Sequence, residues 1–164
     1  TQRKIYISVG SNIEPEAHVL EAVRRLEEVF GVLSISPIYR TAAIGFDGDD
    51  FLNLVIGAST THSPLEVDAM LHKLEDELGR RRVGPKFSAR TIDLDLILYD
   101  DSVIDTDSLK IPRDDVTRYA FVLKPLAELA PEERHPQLGR TYQELARELG
   151  FDATSMERVE LEGL

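Results

Sequence analysis

The sequence has no cysteine and no long apolar run. Without cysteine, the chain has neither a disulfide framework nor a thiolate metal site. No stretch approaches the roughly 20 apolar residues that a helix needs to cross a bilayer. Residues 4–9 are strand-like and lack the basic segment and apolar core of a signal peptide. These absences predict a protein of the reducing cytoplasm that does not enter a membrane.

Positive charge is also scarce. The chain has 19 lysines and arginines against 30 acidic residues, which gives a net charge of −11. Such a charge argues against general binding to nucleic acids or to anionic membranes. The Gly-x4-Gly-Lys-Ser/Thr, Gly-x-Gly-x-x-Gly and His-Glu-x-x-His motifs are missing as well. With 164 residues, 42% of them hydrophobic, the chain is expected to form one domain over residues 1–164.

Apolar residues follow alternating and helical patterns in turn along the chain. They predict strands over residues 4–10, 32–39, 51–60 and 91–99, a short hairpin within 103–111 and an edge strand over 159–161. They predict helices over residues 15–30, 64–78, 118–129 and 141–149, the first capped at the turn after Gly10 and the second by a capping box at Ser63 and Glu66. This βαββαβ order with a C-terminal extension is typical of an α+β, ferredoxin-like sandwich.

The segment Arg90-Thr91-Ile92-Asp93-Leu94-Asp95-Leu96-Ile97-Leu98 places two carboxylates on one face of a predicted strand. Two like charges side by side repel, and a cation between them would offset the repulsion. Residues 80–90 add five positive charges and no negative one. Metal-binding acids beside a basic loop are the parts needed to hold a polyphosphate. On residue types alone, a solvated Asp-x-Asp face and a solvated basic surface remain the commoner alternatives.

Several motifs in a fixed order resemble the 6-hydroxymethyl-7,8-dihydropterin pyrophosphokinase family of the folate pathway. The family's signature resembles the segment Lys86-Phe87-Ser88-Ala89-Arg90-Thr91-Ile92-Asp93-Leu94-Asp95-Leu96-Ile97. Further similar stretches are Gly10-Ser11-Asn12, Tyr39-Arg40-Thr41, Phe51-Leu52-Asn53, Glu75 with Gly79-Arg80, and Phe121-Val122-Leu123-Lys124-Pro125-Leu126. The resemblance covers about residues 4 to 150. It implies an enzyme that transfers pyrophosphate from ATP to the hydroxymethyl group of the pterin and releases AMP.

The resemblance also implies roles for individual residues. Asp93 and Asp95 would hold two Mg²⁺ ions across ATP. The residues implied in catalysis are Arg80, Arg82, Arg90, Asp93 and Asp95. Those implied in nucleotide binding are His72, Glu75, Arg82, Phe87, Arg90, Lys110, Arg113 and Tyr119. Those implied in pterin binding are Thr41, Ala42, Ile44, Phe51, Asn53 and Phe121. The partners would be ATP and 6-hydroxymethyl-7,8-dihydropterin, with no nucleic acid and no membrane, and the protein is expected to act as a monomer.

Some positions depart from the family pattern. Ser88 and Ala89 replace a glycine and a proline, Arg113 stands where histidine is usual, and Tyr119 stands where arginine is usual. Arg113 is expected to take over a phosphate or ribose contact. These departures keep a second hypothesis open, a relative with altered or lost activity that binds a pterin or nucleotide. A third hypothesis, a nucleic-acid or nucleotide-binding module of βαββαβ order, conflicts with the net charge of −11.

Overall fold

The computed structural model describes residues 1–42, 48–79 and 91–164. Within these ranges the strands are β1 (Arg3–Ser11), β2 (Ser34–Ile35), β3 (Ile38–Thr41), β4 (Phe51–Thr60), β5 (Asp93–Tyr99), β6 (Ile104–Asp105), β7 (Lys110–Ile111) and β8 (Glu157–Val159). The helices are α1 (Pro15–Phe30), α2 (Pro64–Glu77), α3 (Asp115–Arg118), α4 (Ala120–Leu129) and α5 (Tyr142–Glu148). Apart from the strand predicted over residues 32–39, the predicted elements are therefore confirmed with small shifts of their ends.

Six strands form one antiparallel sheet in the order β5-β1-β4-β3-β8, with β2 also paired to β4. The hairpin of β6 and β7 forms a second, two-stranded sheet that contacts β5. The α+β class and the antiparallel sheet are confirmed. The ferredoxin-like arrangement, the C-terminal extension and the single domain over residues 1–164 stay predictions.

The strand predicted over residues 32–39 is two strands, β2 and β3. Pro37 has no N–H to donate to the sheet, so the ladder is interrupted there. Ser36 bridges the gap, since its N–H donates to the Val55 carbonyl at 2.9 Å and its hydroxyl accepts from the Val55 N–H at 2.8 Å. The prediction of one continuous strand was wrong, because at this point the Ser36 hydroxyl, rather than a backbone carbonyl, accepts the N–H of Val55 in β4.

The start of α1 also differs from the prediction. Its N-cap is Glu14, which has a φ of 39° and makes no side-chain capping bond, rather than a residue of the turn after Gly10. Asn12 donates instead to the backbone carbonyl of Asp49 at 3.3 Å. The capping box of α2 is confirmed, because Ser63 and Glu66 each accept the other's backbone N–H.

The sheet separates two apolar clusters. On one face, Ile7, Val9 and Leu94 are buried under α1 and α2. On the other face, Tyr6 and Val55 are buried under α4 and α5. No helix in the described part of the chain is both long enough and apolar enough to cross a membrane. Both faces are therefore covered, but α4 and α5 cover only part of the second one.

A β-bulge in β5 decides which residues share that second face. Tyr6 pairs with Leu98 and Ile7 pairs with Leu96, so Ile97 is one extra residue in β5. Ile97 and Leu98 both pack into the cluster under α4. Beyond the bulge the alternation continues, and Asp93 and Asp95 fall on the same face as Ile97, at the end that the apolar cluster does not reach.

Candidate active site

Asp93 and Asp95 lie side by side on β5. Their neighbours in β1 are Gly10, which pairs with Asp93, and Ser8, which pairs with Asp95. Both carboxylates are half-buried, whereas Leu94 between them is 1% exposed and packs on the opposite face. The predicted arrangement of two carboxylates on one strand face with aliphatic side chains on the other is confirmed.

Glu75 of α2 forms a hydrogen bond with the backbone of β5. Its side chain is 1% exposed, and its Oε2 atom accepts the backbone N–H of Leu94 at 2.8 Å. Because β5 ends the sheet, this N–H obtains a partner from a helix rather than from another strand. Glu75 is therefore a buried acid that binds the backbone of β5. Its implied contact with the nucleotide stays a prediction.

Gly10 provides room for the side chain of Asn53. The two residues pair across β1 and β4, and a Cβ atom on Gly10 would lie 2.9 Å from Asn53 Oδ1. The Asn53 Nδ2 atom donates to the Thr41 hydroxyl at 2.6 Å. Asn53 is 7% exposed, so its amide is held by Thr41 and lies over Gly10.

Asn53 and Asp93 flank Gly10 on the same face of the sheet. Both pair with Gly10, one from β4 and one from β5. With strands about 4.8 Å apart, their Cα atoms are about 10 Å apart. Phe51 lies on this face too, because its Cδ1 atom would be 3.9 Å from a Cβ on Gly10. Sequence reasoning gave Gly10 no role at the site, although a glycine inside a strand is a signal for close approach by another group.

Tyr119 and Phe121 stack at the beginning of α4. Their ring centroids are 4.9 Å apart and their planes differ by 20°. Phe121 is half-buried against the cluster under α4. One face of the Phe121 ring is therefore covered by Tyr119, a residue that the family resemblance assigns to nucleotide binding.

Arg113 lies next to Asp95. Its Nη2 atom is 3.9 Å from Asp95 Oδ1, and its Nε atom is 3.5 Å from Asp115 Oδ2. Its backbone N–H donates to the Ile97 carbonyl at 3.0 Å, which anchors the residue beside the bulge. Burial alone would lower the pKa of the Arg113 guanidinium, but Asp95, Asp115 and Asp68 raise it above its usual value.

The remaining predicted residues are at the edges of this region or outside it. His72 lies on an exposed part of α2, with Nδ1 3.6 Å from Asp68 Oδ2. Lys110 lies on β7, with Nζ 3.6 Å from Asp105 Oδ2 and 3.9 Å from Asp114 Oδ1. Ala42 is exposed after β3. The predicted residues Ile44, Arg80, Arg82, Phe87 and Arg90 lie outside the described residues.

The donor set at β5 fits Mg²⁺. Mg²⁺ is usually held by one or two carboxylates, several waters and substrate phosphates rather than by a protein cage. Among residues 1–42, 48–79 and 91–164, no group of three or more His, Asp or Glu side chains is arranged to hold a metal ion. A pair of half-buried carboxylates on one strand face therefore suits an ion that arrives with phosphates attached.

The chain is similar to known pyrophosphokinases. Residues 6–131 match the model of the family described as 7,8-dihydro-6-hydroxymethylpterin-pyrophosphokinase. The 2-amino-4-hydroxy-6-hydroxymethyldihydropteridine pyrophosphokinase of Aquifex aeolicus is 37% identical over 134 residues, which are 80% of this chain and 83% of the relative. The protein of the same name from Pseudomonas aeruginosa is 36% identical over 155 residues, which are 92% of this chain and 94% of the relative.

Solved structures share the fold. A crystal structure of wild-type Plasmodium falciparum HPPK-DHPS with pteroate superposes with a TM-score of 0.68 at 15% identity, over 90% of this chain and 42% of that one. A second structure of the wild-type protein gives a TM-score of 0.69 at 14% identity, over 90% of this chain and 45% of the other. The present chain thus spans less than half the length of those proteins, and the likeness concerns the fold.

Proposed function

The chain belongs to the 7,8-dihydro-6-hydroxymethylpterin-pyrophosphokinase family, and we propose which of its residues carry out that family's reaction. It is an ATP-dependent pyrophosphokinase of folate biosynthesis. It transfers pyrophosphate from ATP to the hydroxymethyl group of 6-hydroxymethyl-7,8-dihydropterin and releases AMP. The hypothesis of a relative with lost activity is not favoured by these similarities.

Asp93 and Asp95 are proposed to hold two Mg²⁺ ions. One observation carries this assignment: the two carboxylates share a strand face beyond the apolar cluster under α4, and the Cα atom of Asp93 is about 10 Å from that of Asn53 across β1. When bound, the metal ions offset charge on the phosphate oxygens as the pyrophosphoryl group moves. The carboxylates themselves orient the ions, because the strand fixes their spacing.

The reaction needs in-line geometry. The pterin hydroxyl oxygen forms a bond to the β-phosphorus and releases its proton to solvent, while the bond from that phosphorus to the bridging oxygen of the α-phosphate breaks, so AMP leaves with that oxygen. Arg80, Arg82 and Arg90 are proposed to bind the phosphates, since guanidinium groups stay charged and bind two oxygens at once. Phe87 is proposed to contact the nucleotide. These residues are assigned from the family resemblance.

The pterin is proposed to lie between Asn53 and the aromatic residues. A flat bicyclic ring with donors and acceptors on its edge needs an amide and apolar faces. Asn53 supplies the amide, with its orientation supported by the Thr41 hydroxyl at 2.6 Å. Phe51 and Phe121 supply apolar faces, and the family resemblance assigns further pterin contacts to Ala42 and Ile44.

The nucleotide is proposed to lie on the other side of the two carboxylates. The family resemblance assigns its contacts to His72, Glu75, Lys110, Arg113 and Tyr119, although in the structure the Glu75 carboxylate accepts the Leu94 N–H and the Tyr119 ring stacks on Phe121. Of these, Arg113 has the strongest support, because it lies 3.9 Å from Asp95. Binding to nucleic acid is not part of the proposal, and the monomeric state and cytoplasmic location stay predictions from the sequence.

The decisive experiment is a product assay. The protein is incubated with ATP, MgCl₂ and 6-hydroxymethyl-7,8-dihydropterin, and nucleotides are separated and quantified. We expect AMP and the pterin pyrophosphate in equal amounts, with no AMP when the pterin is omitted. Formation of ADP, or AMP without pterin, would show that the reaction is not pyrophosphate transfer to this substrate.

A further inference from the structure

Arg113 occupies the space next to a carboxylate that is proposed to bind metal. Its Nη2 atom is 3.9 Å from Asp95 Oδ1, which is beyond hydrogen-bonding distance but within the range of an ion pair. The Arg113 side chain is 44% exposed, so solvent screens the attraction. This ion pair is weak, and breaking it leaves neither charge fully buried, because both side chains are partly exposed.

A second carboxylate holds Arg113 through a different nitrogen. Asp115 Oδ2 is 3.5 Å from Nε, whereas Asp95 is approached by Nη2. The backbone of Arg113 stays fixed, because its N–H donates to Ile97 at 3.0 Å and its carbonyl accepts from Val116 at 3.1 Å. The end of the side chain can therefore leave Asp95 while its base and the contact with Asp115 remain.

A metal ion bound to Asp95 would be repelled by the positive charge of Arg113. Mg²⁺ lies about 2.1 Å from a ligating oxygen, so an ion on Oδ1 would be no farther than about 6 Å from Nη2 in its present position. At that separation, a single positive charge weakens the binding of a divalent ion by about tenfold in water and about threefold in physiological salt. Phosphate oxygens between the two cations would remove this conflict.

Resting on the function proposed above, we propose that Arg113 is a built-in competitor of the metal at Asp95. In the absence of nucleotide it neutralises Asp95 and weakens the binding of free divalent ions. When the metal arrives with a triphosphate, Arg113 turns from Asp95 to the phosphate oxygens. Metal and nucleotide binding are thereby coupled, since each ligand removes an obstacle to the other.

The test is metal binding without turnover. Binding of Mn²⁺ alone is measured by the electron paramagnetic resonance signal of the free ion, in the wild type and in Arg113→Gln. We expect the variant to bind Mn²⁺ about three- to tenfold more tightly. Arg113→Met, which also removes the charge but packs differently, should show the same gain, and Arg113→Lys should stay near the wild type.

The matched control is Arg24→Gln. Arg24 is exposed on α1 and pairs with Glu21 and Glu28, so this change alters the net charge equally without touching β5. An unchanged or weaker Mn²⁺ affinity in Arg113→Gln would overturn the proposal. A gain of equal size in Arg24→Gln would overturn it too, because the effect would then come from overall charge.

A second measurement tests the move to the phosphates. Calorimetry with saturating Mg²⁺ and α,β-methylene ATP, which cannot transfer its pyrophosphate, should show weaker binding to Arg113→Gln than to the wild type. The variant thus changes metal binding and nucleotide binding in opposite directions. Equal analogue affinity would overturn the coupling. Neither measurement depends on turnover, so a failure of this proposal is distinguishable from a failure of the AMP assay.

Discussion

The Glu75 carboxylate accepts the backbone N–H of Leu94 at 2.8 Å, directly behind the two aspartates of β5. Glu75 is 1% exposed, so it fixes the peptide between Asp93 and Asp95 from inside the protein. Removing the acceptor would leave the Leu94 N–H buried without this bond, at a cost of about 1–3 kcal/mol.

We expect Glu75→Met to lower the free energy of unfolding by about that amount and to weaken catalysis. Glu75→Gln keeps an oxygen that accepts the same N–H, so it should retain most of the stability and activity. Urea unfolding and steady-state kinetics measure the two effects. If Glu75→Met lost activity at unchanged stability, Glu75 would act on a ligand rather than on β5.

Gly10→Ala should affect pterin binding more than nucleotide binding. The added Cβ atom would lie 2.9 Å from Asn53 Oδ1, so the amide must move from its position beside Thr41. We expect the KM for the pterin to rise about tenfold, as for the loss of one well-placed hydrogen bond, with little change in the KM for ATP.

Gly57→Ala is the matched control for this substitution. Like Gly10 in β1, Gly57 lies inside a strand, β4, and its added Cβ would lie 3.0 Å from Tyr6 Cε1 rather than near Asn53. This variant should lose stability and keep its KM for the pterin. A similar rise in both variants would mean that damage to the sheet, rather than the position of Asn53, controls pterin binding.

Asp93→Asn and Asp95→Asn should each lower kcat by about a hundredfold or more, since metal-assisted catalysis contributes several kcal/mol. The fold should survive, because the carboxylates are half-buried and the aliphatic core lies on the other face of β5. Asp101→Asn, an exposed position just after β5, is the control and should be active. Wild-type turnover by either site variant would contradict the metal assignment.

Alkaline pH should destabilise the protein through Tyr6. Its hydroxyl donates to Glu133, and burial, followed by the bond and charge of Glu133, raises the pKa of Tyr6 far above 10. The folded state therefore keeps a proton that the unfolded chain releases above about pH 10. This contribution to stability is complete below pH 10 and is lost as the pH rises further, by about 1.4 kcal/mol per pH unit.

Tyr6→Phe removes this titration. Urea unfolding between pH 8 and pH 11.5 should show a less steep loss of stability in the variant than in the wild type. At pH 8 the variant should be less stable, since the bond to Glu133 is absent. Equal slopes above pH 10 would mean that other groups, such as Tyr39 with its pKa raised to about 12 mainly by burial, control alkaline unfolding.

Local pattern in the sequence was enough to find most elements. The capping box at Ser63, the helical spacing after Pro15 and the alternation around Asp93 depend on residues a few positions apart, so they can be read without knowing the fold. The same short-range logic showed that the two aspartates share a strand face. The family resemblance extended this reading to the substrates.

Contacts between distant residues could not be read in this way. Arg113 reaches Asp95 because the chain after β7 returns to the bulge at Ile97, and Asn53 lies over Gly10 because β1 and β4 pair in one register. The burial of Glu75 follows from the packing of α2 against β5. Short-range pattern thus specified the elements and the paired carboxylates, whereas long-range register and packing specified what surrounds them, since side chains meet across elements only after the whole sheet has formed.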